Sequence, residues 1–168
     1  MNKRQPGIVT GHRQVIDGVI HDRSISDPVI TLARDLIPVI SPAASDESAK
    51  IDSAIARASE LCLEYNDSGD LALLAQAQFS LGICQLIINS GDDALESFQI
   101  CAEMAESQND CVTQAWALAF HGLTKRSLYE LLQEDGRREI ERARELFEGE
   151  GHQLGVKALD ERFHGMSN

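Results

Sequence analysis

Residues 70–82 read DLALLAQAQFSLG and residues 110–122 read DCVTQAWALAFHG. Set one above the other at a shift of 40, Asp70 falls on Asp110, Ala75 on Ala115, Ala77 on Ala117 and Gly82 on Gly122. The same shift puts Ala54 on Ala94 and Ile55 on Leu95. A further step of 42 aligns Glu103-Met104-Ala105-Glu106 with Glu145-Leu146-Phe147-Glu148, and Asn109-Asp110 with Gly151-His152. The two extra residues are expected in a turn over Gln133–Gly136. A period of this length marks a chain built from repeated supersecondary units. Glycine inside a helix costs about 1 kcal/mol relative to alanine. Its return at one repeat position, beside small alanines, therefore points to close packing of two helices. One helix pair buries only part of its apolar face, so neighbouring pairs must stack.

The segments around this stretch read as helices separated by polar breaks. Ser26-Asp27-Pro28 opens a first helix with polar caps and a proline in the first turn. Pro38 and Pro42 end it before about residue 40. The next begins at Ser45-Asp46-Glu47 and carries Ile51, Ala54, Ile55, Ala58, Leu61, Cys62 and Tyr65 at spacings of three and four. Gly69, Ser90-Gly91-Asp92, Gln108-Asn109-Asp110 and Gly149–Gly151 mark later breaks. The helices between them are expected over 70–89, about the apolar residues Ala94, Leu95, Phe98, Cys101, Ala102 and Ala105, over 112–132, about Ile140, Ala143, Leu146 and Phe147, and over 153–164. No strand-like alternation of any length follows residue 25. Before it, Gln14-Val15-Ile16-Asp17-Gly18-Val19-Ile20 carries a hairpin signal too short to stand alone. Residues 1–24 are accordingly read as an arm, either flexible or packed as a small hairpin, and residues 25–168 as the helical repeat domain.

On Ala75, Ala77, Leu81, Gly82, Ala94, Phe98 and Cys101 the chain resembles the tetratricopeptide repeat family. Small residues open one helix, a Leu-Gly sits in its middle, and an Ala, an aromatic and a small residue follow on the next. The period of 40–42 residues is similar to that of the long-period repeats of large bacterial transcription regulators and signalling ATPases, as is the stretch from Ala143 to Gly155. The resemblance covers about residues 45–163. Two departures stand out: the third repeat lacks the helix B aromatic, and His121 replaces leucine before Gly122. The resemblance implies an all-α fold, a right-handed superhelix of stacked antiparallel helix pairs. In the family, helix A residues line a concave groove for a protein or peptide. Carried over by position, that groove takes Gln76, Phe79, Ile83, Leu86 and Ile87 from one repeat, and Trp116, Ala119, Leu123, Arg126 and Ser127 from the next. Trp116, the only tryptophan, reads equally as an interface anchor or as a core residue between repeats.

Charge narrows the choice of partner. Residues 1–40 carry net +1, residues 41–110 net −11 and residues 111–168 net −2. The acidic middle repels nucleic acid and anionic lipid, and favours a basic or amphipathic protein partner. Acidity that merely keeps the protein soluble accounts for the same numbers. The basic group Lys125, Arg126, Arg137, Arg138, Arg142 and Arg144 alternates with Glu141 and Glu145, so intrahelical ion pairs compete with an acidic-partner patch.

Motifs of catalysis and cofactor binding are absent from the sequence. There is no Gly-rich phosphate loop, no G-x-S-x-G elbow and no H-E-x-x-H. His12, His21, His121, His152 and His164 are scattered, and His121 reads as a packing or lining residue. Cys62, Cys84 and Cys101 fall on apolar helical positions and read as small core residues; Cys111 opens a helix, where thiols can be activated, but a core role is the favoured reading for it too. No C-x-x-C pair exists, so neither metal nor cofactor is expected. No segment is apolar enough to span a bilayer or to serve as a signal-peptide core, which predicts a cytoplasmic protein, or one exported by a route that needs no cleaved signal. The expected function is a non-enzymatic protein–protein adaptor or regulatory scaffold. Its alternatives are a chaperone for a secreted protein and a ligand-sensing domain. Two open apolar ends predict capping by the terminal helices or stacking of two copies as a homodimer.

Overall fold

The computed structural model describes residues 48–88 and 90–164, and every regular element in that range is helical. The residue 1–24 arm, its hairpin signal and the helix expected from Ser26 lie outside the described residues. Helix α1 spans Ser48–Ser68, α2 Leu71–Ile87, α3 Gly91–Ser107, α4 Cys111–Leu128, α5 Gln133–Gly149 and α6 Gln153–His164. Short links turn the chain back on itself, so each helix packs against its predecessor and its successor.

The repeat is present in the backbone as well as in the side chains. Starts of α2 and α4 differ by 40, those of α3 and α5 by 42, and those of α4 and α6 by 42. Gly69, Asn109 and Gly151 occupy one repeat position, and all three take the left-handed conformation, with φ of 73°, 56° and 66°. Each ends its helix in the same way. The residue after it donates its N–H five positions back: Asp70 to Tyr65 O (3.1 Å), Asp110 to Ala105 O (2.9 Å) and His152 to Phe147 O (2.8 Å). This is a Schellman closure, which satisfies carbonyls the helix end would leave open. The same residue then caps the next helix. Asp70 accepts from Leu73 N–H, Asp110 from Thr113 N–H, and His152 Nδ1 from Gly155 N–H.

One turn differs from expectation. Residues Gln133–Gly136 are not a turn but the first turn of α5. Glu134 and Asp135 lie at the positive end of the helix dipole there, which favours helix over loop. Chain reversal falls instead on extended Tyr129 (φ −129°, ψ 113°) and a 3-10 turn over Glu130–Leu132. The two extra residues therefore lengthen α4 by one and the following link by one, relative to α2 and its link.

The core follows the small-residue pattern. Ala75, Ala77, Ala115 and Ala117 are all buried. Gly82 of α2 lies under the Phe98 ring of α3, where an added Cβ would come within 2.7 Å of a ring carbon. Phe79, Phe98 and Phe120, from three successive helices, form a cluster with centroids 5.2–5.6 Å apart. At the position equivalent to Phe98, α5 carries Ile140, which faces Gly122. Smaller Ile140 leaves room for α5 to approach α4 until backbones meet, with Gly136 against Gly122.

Candidate functional site

The face expected to form a groove is filled by protein. Phe79, Ile83 and Leu86 of α2 and Trp116, Ala119 and Leu123 of α4 belong to the core, and Gln76 is buried too. The side chain of Ile87 lies outside the described residues. Only Arg126, half-buried, and Ser127, exposed, reach the surface, both in the last turn of α4. Trp116 is 1% exposed and packs edge-on against Phe147 at 4.7 Å. His152 meets the pair, stacked on Phe147 at 5.1 Å. The physical reason is hydrophobic. These residues lie on the apolar faces of α2 and α4, and a helix held between two neighbours turns such a face inward.

The opposite face of α4 is the open one. Gln114, Leu118, His121 and Lys125 recur at spacings of four and three, and together they form the floor of a cleft of about 280 Å³. Gln99, Ala102, Glu103 and Glu106 of α3 make one wall, and Glu139 of α5 makes the other. Glu139 is held at both oxygens: Oε2 lies 2.7 Å from His121 Nδ1, and Oε1 accepts from Lys125 Nζ at 2.6 Å. An ionised carboxylate can only accept, so the proton of that imidazole nitrogen faces Glu139. Burial alone would raise the Glu139 carboxyl, but the bonds from His121 and Lys125 outweigh it and hold its pKa below the ordinary value.

The preceding repeat shows what this cleft has gained. Positions equivalent to His121, Lys125 and Glu139 are Leu81, Gln85 and Ser97. There Ser97 Oγ donates to Gln85 Oε1 at 2.7 Å, a neutral bridge between α2 and α3 in the place of the Lys125–Glu139 ion pair. One repeat thus ties its helices with an uncharged bond, and the next with an ion pair that a histidine joins. Sequence reading named His121 as a lining residue and Lys125 as one of a basic group, but missed Glu139, Gln114, Leu118 and the α3 wall. Leucine replaced by His121 was the available signal, since it falls on the repeat position from which the cluster can be assembled.

The remaining candidates resolve into structural roles. Arg137 pairs with Glu134 and Glu141 at 2.6 Å, Arg142 with Glu145 at 3.2 Å, and Arg144 with Asp160 at 2.9 Å and with Glu148. Arg126 donates to Gln133 Oε1 at 3.3 Å. The basic group is therefore largely matched by carboxylates of its own helix or its neighbours. Burial pushes the thiol of Cys62 up to about 11 and that of Cys84 up to about 12. Cys111 sits at a helix N-terminus, yet burial and the carboxylates of Glu150 and Asp110 raise its pKa, so it is not an activated thiol. Among the described residues no three potential ligands gather around a metal position, and no helix is long and apolar enough to cross a membrane.

No family model, curated protein or solved structure matches the chain.

Proposed function

We propose that the chain is a non-enzymatic protein-interaction adaptor, built as a tetratricopeptide-like right-handed superhelix, and that it holds a segment of its partner in the cleft between α3 and α5. The observation that carries this reading is the replacement of Leu81, Gln85 and Ser97 by His121, Lys125 and Glu139 at the three equivalent positions of the next repeat. A purely structural repeat has no need of it, because the neutral bridge of the preceding repeat already ties its helices. Partly buried charge stabilises weakly against an apolar or neutral alternative, so its gain at an open cleft favours recognition over stability. Helical repeats commonly present extended surfaces to partners in this way.

Gln99 is exposed on the cleft wall and tolerates a bulky charge without disturbing the core. Affinity capture from the source cells, with the wild type beside Gln99→Arg, tests the reading. A partner protein held by the wild type and lost by the variant is the expected result. A partner held equally by both places the binding surface elsewhere. The cleft volume falls at the small end of small-molecule sites, so a ligand-sensing domain is the second reading. A metabolite that raises the melting temperature of the wild type but not of Gln99→Arg, with no protein captured, supports that reading instead.

A further inference from the structure

We infer that the cleft receives an arginine or lysine side chain of the partner segment, its aliphatic stem on Ala102 and Leu118 and its charged head between Glu103 and Glu106. This rests on the adaptor reading. Both basic side chains that line the cleft are already committed, since Lys125 and His121 share Glu139. The α3 wall is different. Among the described residues Glu103 accepts only from the neutral amide of Gln99, at 2.9 Å, and no cation pairs with Glu103 or Glu106. Helix α3 carries Asp92, Asp93, Glu96, Glu103 and Glu106 and no lysine or arginine. The uncompensated charge of the cleft is therefore negative, and it stands beside an apolar strip.

A cation at the end of a long methylene stem matches both features, because such side chains lay the stem on apolar surface and keep the head among polar groups. The preceding repeat again supplies the contrast. At positions equivalent to Glu103 and Glu106 it carries Leu63 and Asn66. Both walls of the cleft thus acquire charge in the same repeat, the α5 side neutralised from within and the α3 side left open for a group from outside.

The test uses a fluorescein-labelled peptide of alternating leucine and arginine, with fluorescence anisotropy as the readout. Its counterpart carries citrulline, a neutral near-isostere, at every arginine. Glu103→Gln/Glu106→Gln removes the charge of the wall, and Glu60→Gln/Glu64→Gln removes the same charge from exposed positions on α1. Circular dichroism confirms that both variants fold. The expected result is a loss of about tenfold in affinity for the cleft variant and for the citrulline peptide, and of less than about twofold for the α1 variant. Equal losses from both variants mean diffuse attraction and overturn the inference. So does equal binding of the citrulline peptide, or no binding of the arginine peptide by the wild type. A natural partner that is lost by Gln99→Arg but indifferent to Glu103→Gln/Glu106→Gln overturns the cation and leaves the adaptor reading standing.

Discussion

Gly122 and Gly136 pack backbone to backbone: a Cβ placed on either would lie 2.5 Å from the carbonyl oxygen of the other. The contact is reciprocal, and neither partner is a side chain that can swing away. It sets the distance between α4 and α5 and so the width of the cleft that Lys125 and Glu139 bridge. Replacing a mid-helix glycine by alanine ordinarily stabilises by up to about 1 kcal/mol. Here the sign reverses, and Gly122→Ala or Gly136→Ala is expected to destabilise by about 1–3 kcal/mol through overpacking. Gly149, in the last turn of α5 with open space around it, is the control. Gly149→Ala is expected to be neutral or stabilising by less than about 1 kcal/mol. Urea unfolding of the three variants checks the order.

Trp116 and Phe147 decide between the two meanings of a lone tryptophan. With the indole 1% exposed and edge-on to a buried ring, Trp116→Ala is expected to cost about 3–5 kcal/mol, a large part of the stability of a domain this size. The variant should therefore melt far earlier than the wild type or fail to fold. A well-folded Trp116→Ala protein with unchanged melting temperature would show that the side chain is not part of the core. The same burial makes the wild-type indole a reporter, with emission expected to shift to the red as the domain unfolds.

How far the sequence reached can be traced on single residues. Asp70 and Asp110 were legible as helix boundaries and Gly82 as a packing glycine, because local chemistry and the repeat register agreed on them; that both aspartates cap is visible only in the structure. Gly136 was misread as a turn glycine. A glycine beside charged residues gives the same local signal whether it frees the backbone or admits a neighbour, and only the opposing Gly122 settles which. The faces of α2 and α4 were misassigned for a related reason. Periodicity shows that Phe79, Trp116 and Leu123 share a stripe with other apolar residues, but not whether the stripe meets solvent or another helix. Glu139 was invisible because its partners, His121 and Lys125, lie on the preceding helix, and no local pattern links them.

The clamp on Glu139 makes stability depend on pH in a definite direction. Its pKa is lower folded than unfolded, so the folded state binds fewer protons. The stability it contributes is fully present above the unfolded carboxyl value, and it is lost as the pH falls through the folded one. Glu139→Gln leaves Lys125 without its carboxylate and is expected to cost about 1–3 kcal/mol at neutral pH. The gap between wild type and variant should narrow at acid pH, as the pH falls below the ordinary carboxylate value and the wild-type carboxyl is itself protonated. Urea unfolding at the two pH values measures it. A gap that stays constant would mean that the bonds to His121 and Lys125 contribute nothing linked to ionisation.

Asn109 and Asp110 link helix end to helix start, and they should respond oppositely to substitution. Asn109 holds a φ of 56° where its repeat equivalents are Gly69 and Gly151. Glycine enters this region without the steric penalty of a Cβ, so Asn109→Gly is expected to stabilise by about 0.5 kcal/mol, and Asn109→Ala to destabilise by about 1 kcal/mol. Asp110 accepts from Thr113 N–H at 3.0 Å and from Thr113 Oγ1 at 2.6 Å. Its loss leaves the α4 N-terminus uncapped, so Asp110→Ala is expected to cost about 1–2 kcal/mol. Because the cap and the closure act on adjacent residues, Asn109→Gly/Asp110→Ala should fall short of additivity. Thermal melts of the single and double variants give the coupling directly. Strict additivity would show that the helix end and the helix start are held independently, against the shared hydrogen-bond pattern at Asp70, Asp110 and His152.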